Sequence, residues 1–139
     1  MGGAAVALVV VDGANVVGSV PDGWWRDRHG ATERLRDALV GMAEAGLPGG
    51  GSVPEWARRG PLDVVLVVEG AARGVAEVPG VRVVRASGSG DDRIVEFVAA
   101  EHARTPARRC LVVTADRGLR ERVRAFAAEV TGSRAVRPG

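Results

Sequence analysis

Asp12, Asp91, Asp92 and Asp116 each stand where an apolar run stops or an amphipathic one begins. In a parallel α/β sheet the carboxyl ends of the strands share one crevice, so carboxylates placed there converge and repel one another unless a cation joins them. Mg²⁺ or Mn²⁺ suits such a site, because hard cations take a few carboxylate oxygens and keep waters for a substrate phosphate. Singly, each residue has a plainer reading: Asp12-Gly13 as a turn, and Asp91, Asp92 and Asp116 as helix N-caps. Jointly, they read as a metal centre in which all four serve as ligands and catalytic groups. Asn15 and Thr114 would orient it by hydrogen bonds, and Glu69 ends another apolar run and could add a further carboxylate.

The elements that must hold these groups alternate along the chain. Residues 4–11 form a Val-rich run of the kind buried on both faces of a parallel sheet, and residues 62–68, 81–86 and 110–114 repeat it. After a loop beyond Asp12-Gly13, Leu35, Leu39 and Met42 mark an amphipathic helix over 32–45, closed by Gly46. Ser89 and Gly90 open a second helix, with Ile94, Val95 and Val98 inward, to about residue 103. Leu119, Val123, Phe126, Ala127 and Val130 give a last helical face, with a short fifth strand over 131–136. Residues 46–60, rich in Gly and Pro, read as a flexible loop. Strand and helix alternation predicts a three-layer α/β/α sandwich, with a central, mostly parallel sheet of four or five strands and right-handed crossovers.

At 139 residues the chain fits one domain, spanning 1–139. The run at 4–11 is too short for a membrane span and lacks the basic leader of a secretory signal, so no membrane partner and a cytoplasmic location are expected. Cys110, the single cysteine, removes intrachain disulfides and cysteine-cluster zinc sites and reads as a buried, inert thiol. The formal charge is only +2, but metal on the four aspartates would leave 13 acidic residues against 19 arginines. That surplus favours a polyanionic partner. The absence of Lys reads as coding bias rather than as a binding signal. It also excludes a Walker A loop, and residues 13–18 fail the spacing of dinucleotide binders.

A second segment could touch such a partner. Trp24 and Trp25 lie in a polar loop just past the first strand and could stack bases, while Arg26 and Arg28 take phosphates. The competing reading places the tryptophans over the core edge or in a homodimer contact. Arg117 and Arg120, beside Asp116, are further phosphate contacts, whereas Glu121, Arg122 and Arg124 read as a solvated face. Trp56, Arg58 and Arg59 read as a surface insertion, with a lid over the site as the sharper alternative.

Three blocks carry a resemblance: residues 9–18 around Asp12-Gly13-Ala14-Asn15, Gly90-Asp91-Asp92-Arg93-Ile94, and residues 112–117 around Thr114-Ala115-Asp116. Their order and acidic positions resemble the NYN domain in its YacP-like branch, among the PIN-like nucleases, from about residue 4 to residue 130. The resemblance implies a PIN-like fold and metal-dependent hydrolysis of RNA phosphodiesters, with Asp12, one or both of Asp91 and Asp92, and Asp116 at the family's acidic positions. Ala14 departs from the pattern, where Tyr or His is frequent, and the match is poor around Glu69. The expectation is a ribonuclease using Mg²⁺ or Mn²⁺, with RNA as partner. The alternatives are a catalytically weak RNA-binding module of the same fold and a small-nucleotide phosphohydrolase.

Overall fold

The computed structural model of the chain describes residues 6–49 and 52–137. Five short strands, β1 (Leu8–Asp12), β2 (Asp63–Val68), β3 (Val81–Arg85), β4 (Cys110–Val113) and β5 (Glu129–Thr131), form one parallel sheet in the order β3-β2-β1-β4-β5. Their Val-rich runs have no polar face because both sides are covered. Val9, Val11, Leu66 and Val113 point into one core with Val16, Leu35 and Leu39, while Leu8, Val10, Val67 and Val112 point into a second with Ile94, Val98 and Leu119. Helices α1 (Gly13–Val17) and α2 (Arg28–Ala45) cover the first face, α3 (Gly90–Arg104) and α4 (Arg117–Arg124) the second. This is the expected three-layer sandwich. Leu39 is fully buried, and its truncation to Ala would cost about 2–5 kcal/mol.

Several boundaries differ from the sequence reading. The first strand begins at Leu8, and Ala4 and Ala5 of the expected run lie outside the described residues. The loop expected after Asp12-Gly13 instead opens as α1, since Asp12 accepts a hydrogen bond from the Asn15 N–H and caps it. Helix α2 starts a turn early, because the Asp27 carboxylate accepts from the Gly30 N–H. Within 46–60 a 3₁₀ turn forms over Glu55–Arg58, and Leu47, Val53 and Ala57 are buried in the core. Gly50 and Gly51 of that loop lie outside the described residues. Burial pushes the Cys110 thiol up to about 12, in keeping with an inert cysteine. Among the described residues no helix is long and apolar enough to cross a membrane.

The largest correction concerns the chain's end. Helix α4 stops at Arg124, the backbone turns left-handed at Ala127 (φ 62°), and β5 precedes the stretch where a fifth strand was expected. Residues 133–135 form a 3₁₀ turn instead, burying Ala135 and Val136. Phe126 and Val130 still pack on the second core, so the apolar spacing is satisfied by a turn and a strand as well as by a helix. A left-handed alanine costs about 1–2 kcal/mol, and glycine's extra unfolded-state freedom offsets part of that. Ala127→Gly, at an exposed site, should therefore stabilise the fold by up to about 1 kcal/mol. Urea denaturation measures it, and a lowered midpoint would show that the Ala127 methyl contributes packing instead.

Candidate active site

The carboxyl ends of β1, β2 and β4 lie side by side, with β1 central and the chain's crossovers diverging on either side of it. In such sheets this reversal opens a crevice for ligands. Asp12, the last residue of β1, is 5% exposed and is held from two directions. The Thr114 hydroxyl, at the end of β4, donates to its Oδ2 at 2.8 Å, and the Asn15 N–H approaches Oδ1 at 3.4 Å. Asn15 Oδ1 in turn accepts from the Ala115 N–H at 3.0 Å, and Thr114 Oγ1 accepts from the Asp116 N–H at 3.1 Å. Both orienting residues thus bridge α1 to the segment carrying Asp116.

Asp116 caps α4, accepting from the Leu119 N–H at 2.9 Å. Asp91 sits in the first turn of α3, and Glu69 follows β2 and accepts from the Gly90 N–H at the same helix start. Two glycines permit this approach. A Cβ on Gly13 would lie 2.6 Å from the Val67 carbonyl oxygen, and one on Gly90 would strike the Glu69 carboxylate. Gly90 was the residue whose purpose the sequence hid, its only signal being a glycine inside a helix start.

The carboxylates sense one another. Burial, then repulsion from Asp91 and Glu69, raises Asp12 from its ordinary 3.8 to about 6, against the hydrogen bonds from Thr114 and Asn15. Asp91 is likewise raised, first by partial burial and then by Asp116 and Glu69. Asp92 stands apart: its Oδ1 pairs with Arg122 at 3.0 Å on the surface. Among the described residues no three carboxylates are close enough to form a ready-made metal cluster.

The remaining candidates divide. Arg117 is exposed at the start of α4, whereas the Arg120 Nε donates to the Thr114 carbonyl at 2.9 Å and braces the site from behind. Trp24 packs partly on the α1–α2 core, as the competing reading had it, but Trp25 is 54% exposed. Arg26 lies 5.8 Å from the Trp25 ring centre and Arg28 5.2 Å from that of Trp24. Trp56 donates to Glu129 at 2.8 Å, at the amino end of β5 and so at the opposite strand end from the carboxyl-end crevice. Between α1, Trp24 and Glu69 lies a pocket of about 150 Å³ that opens beside the carboxylates.

Asp12 yields a pH prediction. Its folded-state pKa lies above its unfolded value, so the folded chain holds the extra proton between them and stability falls as pH rises from about 4 to about 6. Each tenfold change in acidity is about 1.4 kcal/mol, so ionising Asp12 in the fold costs about 3 kcal/mol. Asp12→Asn should therefore be more stable than the parent at pH 7, by about 1–3 kcal/mol, with the gain vanishing near pH 4. Urea denaturation across pH 4–7 measures this. A constant difference over that range would remove Asp12 ionisation as the cause.

No family profile and no curated protein matches the sequence. Solved structures do. The fold matches the crystal structure of Rae1 (YacP) from Bacillus subtilis with a TM-score of 0.68 and 17% identity, covering 94% of this chain and 71% of that one. A single-substitution variant of the same protein matches with a TM-score of 0.64 and 18% identity, covering 94% and 72%. The likeness shows that the chain shares the fold of Rae1 (YacP), an all-parallel five-stranded sheet between helices, in keeping with the sandwich expected from the sequence.

Proposed function

We propose that this protein is a metal-dependent ribonuclease that hydrolyses RNA phosphodiester bonds at the acidic crevice. The observation that carries the reading is the convergence of Asp12, Glu69, Asp91 and Asp116, from four separate segments, closely enough that their mutual repulsion adds to burial in raising Asp12 and Asp91. A structural scaffold has no use for that repulsion, whereas a cation relieves it. The likeness to Rae1 (YacP) supports the reading at the level of fold.

The donors are all oxygen, which fits Mg²⁺ or Mn²⁺. Because they do not form a closed cluster, one or two carboxylates would hold each ion and water would complete its shell, the usual manner for Mg²⁺. Asp12, Asp91 and Asp116 are the proposed holders. Asp92, turned to Arg122, would serve by keeping positive charge near the cleft unless it exchanges partners. When bound, the ion would acidify a water and offset charge on the attacked phosphate. Thr114 and Asn15 keep Asp12 in one orientation, and Arg120 fixes Thr114 through its carbonyl. Arg117, Arg26 and Arg28 would take phosphates of the strand, and Trp25 would stack a base. The absence of a closed carboxylate cluster among the described residues is the observation that favours a second reading, a binding module in which RNA is held without turnover.

A short oligoribonucleotide incubated with Mg²⁺, with Mn²⁺ or with EDTA separates these readings. Cleavage should require the metal and fall by on the order of 10²-fold or more in Asp12→Asn and Asp116→Asn. Millimolar Mn²⁺ should raise the melting temperature of the parent by mass action, and less so that of Asp12→Asn. Near-parental cleavage by either variant would overturn the mechanism, and binding without cleavage in the parent would leave the module reading.

Affinity and chemistry are separable by the loop. Trp25→Ala should weaken single-stranded RNA binding by about 5-fold or more with an unchanged salt slope. Arg26→Ala should flatten that slope by up to about 0.7. Affinity measurements at three salt concentrations distinguish the two effects, and a change of oligomeric state in Trp25→Ala would place that residue in an interface.

A further inference from the structure

None of the proposed ion holders Asp12, Asp91 and Asp116 lines the pocket beside the carboxylates, yet its walls are chemically specific. Gly13, Ala14, Trp24, Arg28, Thr32 and Glu69 border it, and its volume is about 150 Å³. A cavity of about that size accepts one benzene-sized ring. A fused bicyclic ring would not enter fully. Trp24 supplies an aromatic wall, steadied by the Arg28 guanidinium 5.2 Å from its ring centre.

Polar groups decide which end of a nucleotide would enter. Glu69 spends Oε2 on the Gly90 N–H, while its Oε1 accepts no hydrogen bond among the described residues. The Thr32 hydroxyl donates to the Arg28 carbonyl at 2.8 Å, which leaves its oxygen as a second acceptor. A carboxylate in the wall repels a phosphate and accepts from an N–H. A neutral ring bearing an N–H therefore fits beside Glu69, while the exposed Arg28 guanidinium in the same wall is left to take a phosphate of the strand outside the pocket. Both pyrimidine bases carry an N–H on their pairing edge, available only when the base is unpaired.

We propose that this pocket takes one unpaired pyrimidine base of the RNA strand, its ring beside Trp24 and its N–H toward Glu69. Gly13 and Glu69 are common to the pocket wall and the crevice, so a base held there sets which phosphodiester lies over Asp12. The inference rests on RNA being the substrate of the crevice.

Ala14 is exposed on α1, so Ala14→Leu fills the pocket without entering the core. Labelled hexauridylate, and the same strand with each base in turn replaced by an abasic ribose, are titrated onto the full chain in EDTA by fluorescence anisotropy. One abasic position should cost the parent between about 5-fold and 100-fold in affinity, and that penalty should disappear in Ala14→Leu, whose intact-strand affinity falls to match. Hexaadenylate binding should be unaffected by Ala14→Leu. The proposal is overturned if no abasic penalty depends on residue 14, or if hexaadenylate suffers equally. Cleavage of the same strands with Mn²⁺ is scored separately. Strands bound with the positional pattern but never cut would keep the pocket and overturn the hydrolytic reading, whereas cutting without positional dependence would overturn the pocket alone.

Discussion

The hydroxyl of Thr114 donating to Asp12 across the β1–β4 junction is the contact around which the crevice is organised. Thr114 is fully buried, and its oxygen also receives the Asp116 N–H, so one side chain fixes both the central carboxylate and the start of α4. Parallel pairing of β4 with β1 places that hydroxyl at the strand ends, and Arg120 holds its carbonyl in place. Asp12 is thereby kept in a single orientation while buried and crowded by like charge. Without the hydrogen bonds from Thr114 and Asn15, burial and repulsion would raise it further.

The fold was legible because its cause is local and strong. Unbroken Val runs state that both sheet faces are covered, and the intervening amphipathic segments state what covers them. Where periodicity served two structures, the sequence misled: Phe126 and Val130 fit a helical face and also fit a turn followed by β5. Helix α1 was hidden because its five residues are too few to show a period, although Asp12 and Asn15 form its cap. The residues named from the sequence lie close together at the strand ends, with Thr114 and the Asn15 N–H both donating to Asp12. Ranking Asp91 against Asp92 was not legible, since adjacent residues at a helix start diverge by roughly 100° and only packing decides which faces inward. The separate surroundings of Trp24 and Trp25 had the same origin.

The two ends of the sheet treat charge in opposite ways. At the amino ends Arg108 bonds Asp63 at 2.6 Å, Glu101 at 3.0 Å and the Val6 carbonyl at 2.6 Å, and Arg82 meets Asp63 at 2.8 Å. Burial alone would raise Asp63, yet the two arginines hold it below the usual carboxylate range. At the carboxyl ends like charges gather instead, and the nearest partnered carboxylate, Asp92, is the one that turns outward to Arg122. Net charge conceals this arrangement completely.

That polarity has a consequence for how an anionic strand could bind. A crevice lined by ionised carboxylates repels phosphate, so affinity has to originate outside it, on surfaces that are cationic or aromatic. Trp25 and Arg26 of the loop and Arg28 at the start of α2 have those properties, and Trp24 and Arg28 line the same pocket as Gly13 and Ala14 of α1, the helix that carries Asn15. Grip and chemistry are then supplied by adjacent but independent groups, and cations admitted to the crevice would change the sign of its field without altering the loop. Under the proposed function the destabilisation at Asp12 would be the counterpart of metal affinity. The fold tolerates it because the rest of the sheet, buried on both faces and fastened by Arg108 at the far end, does not depend on the crevice for its stability.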